Sequence, residues 1–249
     1  MKRPYLCEAK TREGFVQQLA CAYLRHGYWF YVQGRIPADK DPQSIDAKLI
    51  AKYDIAVSES TRARRKKLGL ANLQYLRHGR TFVILATEGR HKFKEIEASA
   101  LRDIRRVPIR FEGYSISYRP GGRTRSGEQD PRWHAHVEIE RQQYKEIRDH
   151  LLDLARHHSA SSVALVFYRL PFEPYAPIRR QMLLLLRTVN RVRKQAGFAQ
   201  LPHEVLPLRR RIMRPFEESG FYLDVTTDAP DRQTSTVNVP ASVGPKNAD

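Results

Sequence analysis

Cysteine is scarce in this sequence of 249 residues, and no apolar run reaches the roughly 18 to 20 residues that cross a bilayer. Two cysteines, Cys7 and Cys21, are too few for a disulfide framework or a four-cysteine zinc site, so we expect free thiols in a reducing compartment. The start of the chain leads into charged residues and lacks the apolar core of a signal peptide. These features predict a protein without a membrane partner, located in the cytoplasm or associated with the nucleoid.

Several enzyme motifs are also missing. The sequence contains no GxxxxGK[ST], no GxGxxG after a strand, and no CxxC, HExxH or GxSxG. The usual grounds for an NTPase, a dinucleotide-binding enzyme, a zinc finger or a serine hydrolase are therefore absent, and we expect no cofactor. Hydrophobic residues make up 41% of the chain and charged residues 29%, which is apolar enough for a folded core.

Basic residues are abundant and unevenly placed. The chain has 44 Lys and Arg against 27 Asp and Glu, a formal net charge of +17. Residues 58–110 hold 14 basic and 5 acidic residues, and residues 175–215 hold 10 and 1, whereas 111–174 is neutral. Like charges concentrated in this way repel one another unless a polyanion relieves them. The sequence therefore predicts a nucleic-acid partner that is bound through two separate basic patches.

Hydrophobic periodicity predicts an α+β fold. Strands are expected at 28–33, 72–77, 80–86 and 111–118, with helices before 72 and at 93–105, which is the β-α-β-β-α-β order of a ferredoxin-like unit. Further predictions are an alternating strand at 133–139, a buried strand at 163–167 and a long basic helix from 178 to 196. We divide the chain into units 1–107 and 108–224 and a disordered tail, 225–249.

The segment 44–87 combines a short helix, a turn ending at Ser58, a helix rich in Arg and Lys, and a hairpin. It resembles a winged helix-turn-helix, as an alternative to the ferredoxin-like unit. The resemblance implies a DNA partner, with the second helix in the major groove and the hairpin as the wing. It assigns base contacts to Ser60, Thr61 and Arg64, phosphate contacts to Arg62, Arg65, Lys66 and Lys67, and wing contacts to Arg77, His78 and Arg80. A ferredoxin-like unit would favour RNA, with Tyr28, Phe30 and Tyr114 as stacking surfaces.

The second basic patch is expected on the long helix and the segment after it. Its candidate phosphate-binding residues are Arg179, Arg180, Arg187, Arg191, Arg193, Lys194, Arg209, Arg210 and Arg211. Together with the first patch they favour a nucleic-acid-binding protein, with DNA preferred to RNA. One alternative is a non-catalytic subunit of a ribonucleoprotein, bound to other protein subunits.

The strand at 133–139 supplies a second alternative. His134, His136 and Glu138 share one of its faces and have side chains suited to a divalent metal. His134-Ala135-His136 resembles the histidine-hydrophobe-histidine motif of HUH endonucleases. The resemblance implies a nickase or transposase in which the metal, Mg²⁺ or Mn²⁺, polarises a phosphate and a tyrosine attacks it. Tyr175 is the preferred nucleophile and Tyr168 the second choice.

Overall fold

The fold is mixed α+β, as predicted. The computed structural model describes residues 5–123 and 126–217, and within them it has seven α-helices and two antiparallel sheets. The tail predicted to be disordered lies outside the described residues. None of the described helices combines the length and the apolar character needed to span a membrane.

The elements are defined as follows. The helices are α1 (Arg12–Gln17), α2 (Pro42–Lys52), α3 (Glu59–Lys67), α4 (Lys92–Ile96), α5 (Arg141–His157), α6 (Ala160–Tyr168) and α7 (Ala176–Gln195). The strands are β1 (Phe30–Arg35), β2 (Leu73–His78), β3 (Thr81–Ala86), β4 (Arg102–Asp103), β5 (Ile109–Phe111), β6 (Tyr114–Pro120) and β7 (Trp133–Ile139). A π-helical turn, Gln18–Tyr23, and a 3₁₀ turn, Leu24–His26, continue α1 until Gly27 ends it with a left-handed φ of 86°.

The first sheet has the strand order β2-β3-β1-β4. Strands β1 and β2 are both antiparallel to β3, which lies between them, so they run parallel to each other and form a split β-α-β unit. This is the ferredoxin-like alternative, in which the hairpin expected to be a wing is the β2–β3 pair of the sheet. The fourth strand is the two-residue β4, and the helix expected at 93–105 is confined to α4.

The second sheet has the order β5-β6-β7. The residues predicted at 111–118 as the last strand of the ferredoxin-like unit belong instead to β5 and β6 of this sheet. A two-residue turn, Glu112–Gly113, with φ of 42° and 82°, joins β5 to β6. Two positive φ values match a type I′ hairpin turn, for which Asn-Gly or Asp-Gly is the usual sequence. Because Glu112 stands where Asn or Asp is usual, the sequence did not indicate this turn. Strand β7 covers the residues predicted for it.

The buried strand predicted at 163–167 is wrong, because these residues belong to α6. The side chain of Ser159 caps α6 by accepting a hydrogen bond from the Ser162 N–H. Val163 and Phe167, one helical turn apart, are its buried residues. A short apolar run fits a strand or a helix equally well, and the cap decides between them here.

Two hydrophobic cores hold these elements together. The smaller core contains Tyr53, Tyr75, Ile84 and Phe93 and lies between the first sheet and helices α2 and α4. The larger core includes residues from α1, both sheets, α5, α6 and α7. It draws on residues from both sides of the unit boundary expected at 107, which falls between β4 and β5.

Candidate nucleic-acid interface

Helix α3 has no buried residue and is held to the rest of the protein by hydrogen bonds at Arg62 and Arg65. Ser58 caps it: its hydroxyl accepts from the Thr61 N–H at 3.2 Å and lies 2.9 Å from the Ser60 hydroxyl. Asn72 fastens the helix by donating to the Arg62 carbonyl at 3.0 Å. With no apolar face to bury, α3 presents most of its circumference to solvent, and Ser60 is exposed on its first turn.

The cations of α3 are not equivalent. Arg65 forms an ion pair with Asp54, and Arg62 directs Nη2 to the Ile55 carbonyl at 3.5 Å, so both are turned back towards the end of α2. Arg64, Lys66 and Lys67 are exposed. Of the four phosphate contacts predicted for α3, Lys66 and Lys67 are therefore directed to solvent, and Arg64, which was predicted to face bases, is a third exposed cation.

The wing-tip contact predicted for Arg77 is wrong. Arg77 is only 3% exposed, and its Nε donates to both carboxylate oxygens of Asp46 at 2.9 Å. A further N–H reaches Glu8 at 3.2 Å. Arg77 therefore joins β2 to α2 and to the segment before α1. Arg80 remains partly exposed but donates to the carbonyls of the loop at 37–40, so its guanidinium is already used within the protein.

Helix α7 presents a row of cations along one face. Ile178, Met182, Leu185 and Val189 are buried on the opposite side. Four of the exposed cations of α7 form this row: Arg180, Arg187, Arg191 and Lys194. At 3.6 residues per turn these positions fall within an arc of about 60°, and they extend over roughly 21 Å of the helix. In the part of the chain that the structure describes, none of the four has an ion pair within 4 Å. We call this row the α7 cation row.

Arg193, on the same helix, does not belong to this row. It is 1% exposed and donates to the Ala199 carbonyl at 2.7 Å and to the His158 carbonyl at 2.9 Å. The phosphate contact predicted for it is therefore wrong, since its guanidinium ties α7 to the end of α5. Arg179 is exposed, although its Nε is held by the Pro174 carbonyl at 2.7 Å.

The three arginines after α7 have separate environments. Arg209 is exposed. The guanidinium of Arg210 lies 4.8 Å from the ring centroid of Tyr175 and 3.8 Å from the Cys21 sulfur. Arg211 donates its backbone N–H to the Glu173 carboxylate at 3.0 Å. This segment therefore contacts the residues between α6 and α7 and, through Arg210, the π-helical turn that contains Cys21.

The predicted metal ligands lie on one face of β7. His134 is 3.1 Å from Asp130, and Glu138 accepts from Arg119 at 3.4 Å. His136 Nδ1 is 3.7 Å from Glu138, which is too far for a hydrogen bond, and this nitrogen has no hydrogen-bond partner among the described residues. Burial, and then the charge of Arg119, lower the pKa of His136 below its ordinary value. Across residues 5–123 and 126–217, no group of three or more His, Cys, Asp or Glu side chains is arranged to hold a metal ion.

Tyr175 is poorly placed to be a nucleophile. It precedes the first residue of α7, is 9% exposed, and is covered by the Arg210 guanidinium. Burial raises the pKa of its phenol, which disfavours the phenolate that would attack a phosphate. Tyr168, the second choice, is 68% exposed at the end of α6. Tyr28 and Tyr114, expected to stack bases, are both buried, whereas Phe30 is partly exposed.

A cleft that the sequence did not predict lies beside the start of β7. It has a volume of about 920 Å³. Both tryptophans of the chain, Trp29 and Trp133, line it, and Tyr118 lies between them. The Tyr118 ring centroid is 5.7 Å from that of Trp29 and 5.9 Å from that of Trp133, with interplanar angles of 27° and 25°. We call this feature the aromatic cleft. The sequence signal that could have indicated it is the placement of both tryptophans at strand ends, Trp29 just before β1 and Trp133 at the start of β7.

Comparison with known proteins adds no family assignment. No protein-family model matches this chain, and no curated protein is significantly similar to it. The winged-helix and HUH resemblances therefore stay predictions, and a function can be inferred only from the geometry of the exposed side chains.

Proposed function

We propose that this protein binds nucleic acid, with the α7 cation row as a principal phosphate contact. One observation carries the proposal. Arg180, Arg187, Arg191 and Lys194 lie on one exposed face of α7 and have no carboxylate partner among the described residues. Four like charges in one row repel one another, and a polyanion lying alongside would relieve that repulsion. Their span of roughly 21 Å equals about six base-pair steps of a duplex at 3.4 Å each.

The exposed cations of α3 support a second contact with the same polymer. Arg64, Lys66 and Lys67 lie on a helix that has no buried residue. Ordinary core packing therefore does not account for α3, whereas a bound phosphate backbone would. The preference for DNA rested on the resemblance to a winged helix-turn-helix. At the tip of the β2–β3 hairpin, however, Arg77 is buried and Arg80 donates to carbonyls of the protein itself. Binding measurements therefore have to distinguish DNA from RNA, and a structured RNA tests the ribonucleoprotein alternative.

The test measures binding of labelled duplex DNA, single-stranded DNA and structured RNA across a salt series. Each phosphate contact contributes about 0.9 to the slope of log affinity against log salt on a duplex and about 0.7 on a single strand. Replacing the four cations of the α7 cation row by Gln should therefore lower the slope by about 3.6 on a duplex or about 2.8 on a single strand.

The matched control removes four exposed basic residues from α5, which lies in the neutral part of the sequence. These are Arg141, Lys145, Arg148 and Arg156. The α5 variant loses the same net charge, so it should keep nearly the wild-type slope if phosphates lie along α7. A flat salt response of the wild-type protein would contradict nucleic-acid binding. Equal losses in the two variants would show a diffuse charge effect without a site on α7.

A further inference from the structure

We propose that the aromatic cleft binds unstacked bases of a single-stranded nucleic acid, with Trp133 as the stacking surface. The inference rests on the proposed function in that its ligand is a nucleic acid. It adds a second kind of contact, made with base faces and not with phosphates, and it specifies a single strand.

The three rings of the cleft form a column that begins at Trp29 and has an open end at Trp133. The guanidinium of Arg105 lies 4.6 Å from the centroid of Trp29. Tyr118 and Trp133 follow at stacking distances. Trp133 is 44% exposed, and among the described residues no ring other than Tyr118 stacks against it. A planar base can therefore extend the column at Trp133, and such base–aromatic stacking is a common means of holding single strands.

The secondary structure holds these rings in place. Tyr118 pairs with Ala135 across the β6–β7 ladder, which makes Trp133 its diagonal neighbour on the same face. The Trp29 indole N–H donates to the Leu24 carbonyl at 3.2 Å, and the Trp29 carbonyl accepts from the Ile104 N–H at 2.9 Å. A stacking surface fixed before binding loses little conformational entropy when the ligand arrives.

The charge around the rings favours an anionic ligand. Arg25, Arg105 and Arg132 line the cleft, and no carboxylate belongs to the lining that residues 5–123 and 126–217 provide. Asp103 and Asp130 hold two of these guanidiniums from behind, at 2.8 Å from Arg105 Nη2 and 3.0 Å from Arg132 Nε. The two aspartates orient the arginines and reduce the net charge, so stacking should supply most of the affinity. Three arginines would repel a cation, the other ligand that aromatic clusters bind.

A duplex does not suit this cleft. Its bases are stacked on one another and offer only their edges, so no base face can reach Trp133 without being unstacked first. A single strand offers its faces at a lower energetic cost. An oligonucleotide of DNA and one of RNA share this chemistry, and their relative affinities identify the natural polymer.

Tryptophan fluorescence reports this site without a label. Trp29 and Trp133 are the only tryptophans in the sequence, and both line the aromatic cleft. Titration with single-stranded DNA or RNA should quench their emission at the same midpoint as the anisotropy of a labelled strand. Duplex DNA should leave the emission nearly unchanged. Equal quenching by duplex and single strand would overturn the single-strand assignment.

Trp133→Leu provides the second measurement, because it removes the open end of the column at a partly exposed position. Affinity for a single strand should fall about 5- to 100-fold, with the salt slope unchanged. The matched control is Tyr168→Leu, which removes an exposed aromatic ring from α6 and should leave affinity within about twofold. The variant lacking the α7 cation row should do the reverse, lowering the salt slope while the quenching persists at low salt.

The outcomes separate the two proposals. Single strands that bind by anisotropy without quenching, and with normal affinity in Trp133→Leu, would overturn the cleft assignment and leave nucleic-acid binding standing. Failure of every polymer to bind by anisotropy would overturn both. Quenching together with loss of affinity in Trp133→Leu, but not in Tyr168→Leu, supports the aromatic cleft as the base-binding site.

Discussion

Removing Asp46 should unfold the protein more readily than removing any surface carboxylate. Asp46 accepts two hydrogen bonds from Arg77 at 2.9 Å and a third from the Tyr75 hydroxyl. The side chains of Asp46 and Arg77 are only 8% and 3% exposed. Asp46→Ala leaves a buried guanidinium without its main partner, since the remaining carboxylate, Glu8, bonds through another N–H and is 35% exposed. Breaking a buried ion pair in this way costs about 3 to 5 kcal/mol.

The loss is measured as the free energy of unfolding in urea, followed by circular dichroism. For a chain of this length, about 3 to 5 kcal/mol lowers Tm by roughly 6 to 20 °C. The control is Asp39→Ala, in which an exposed pair with Lys40 is lost at a cost of under about 1 kcal/mol. The double variant Asp46→Leu with Arg77→Met should recover most of the loss, because both charges leave the interior together.

Two results would refute this reasoning. One is a loss below about 1 kcal/mol in Asp46→Ala, which would mean that the pair is solvated. The other is a double variant that is as unstable as the sum of the single variants. The same double variant also tests the role of Arg77: once folded, it should keep the wild-type salt slope for nucleic acid, whereas a phosphate contact would lower that slope by about 0.7 to 0.9.

Two further predictions separate buried from exposed groups. Arg193→Met should cost about 1 to 3 kcal/mol, since it removes the two hydrogen bonds that a buried guanidinium donates to Ala199 and His158, and should keep the salt slope of binding. Arg191→Gln should change stability by less than about 0.5 kcal/mol and lower the slope by nearly one on a duplex, so a reversed pattern would contradict the assignment. For His136, the lowered pKa means that the unfolded chain binds a proton before the folded chain as pH falls through about 6.5. The free energy of unfolding should therefore drop between about pH 7.5 and 5.5, and drop less in His136→Gln; equal losses in the two proteins would contradict a partly buried, neutral imidazole.

Local sequence determined the elements whose pattern is strong. The alternation of residues 133–139 predicted β7, and the repeat of apolar residues from 178 predicted a helix that corresponds to α7. Both patterns express the geometry of a single element, which neighbouring residues set. The strand predicted at 111–118 is interrupted by a turn with an unusual first residue, and the strand predicted at 163–167 is wrong because a serine cap starts a helix there.

Tertiary structure alone decided which basic residues face solvent and which rings meet. Arg77 and Arg193 look like their exposed neighbours in the sequence, yet one binds Asp46 in α2 and the other a carbonyl at the end of α5. Trp29, Tyr118 and Trp133 come together because β6 and β7 pack beside the turns that precede β1. Net charge and the two basic segments follow from composition, whereas burial and partnership depend on residues far apart in the chain. For this reason only the structure could show that the exposed positive charge includes one cation row on α7 and three cations on α3, and that the aromatic cleft is a separate feature.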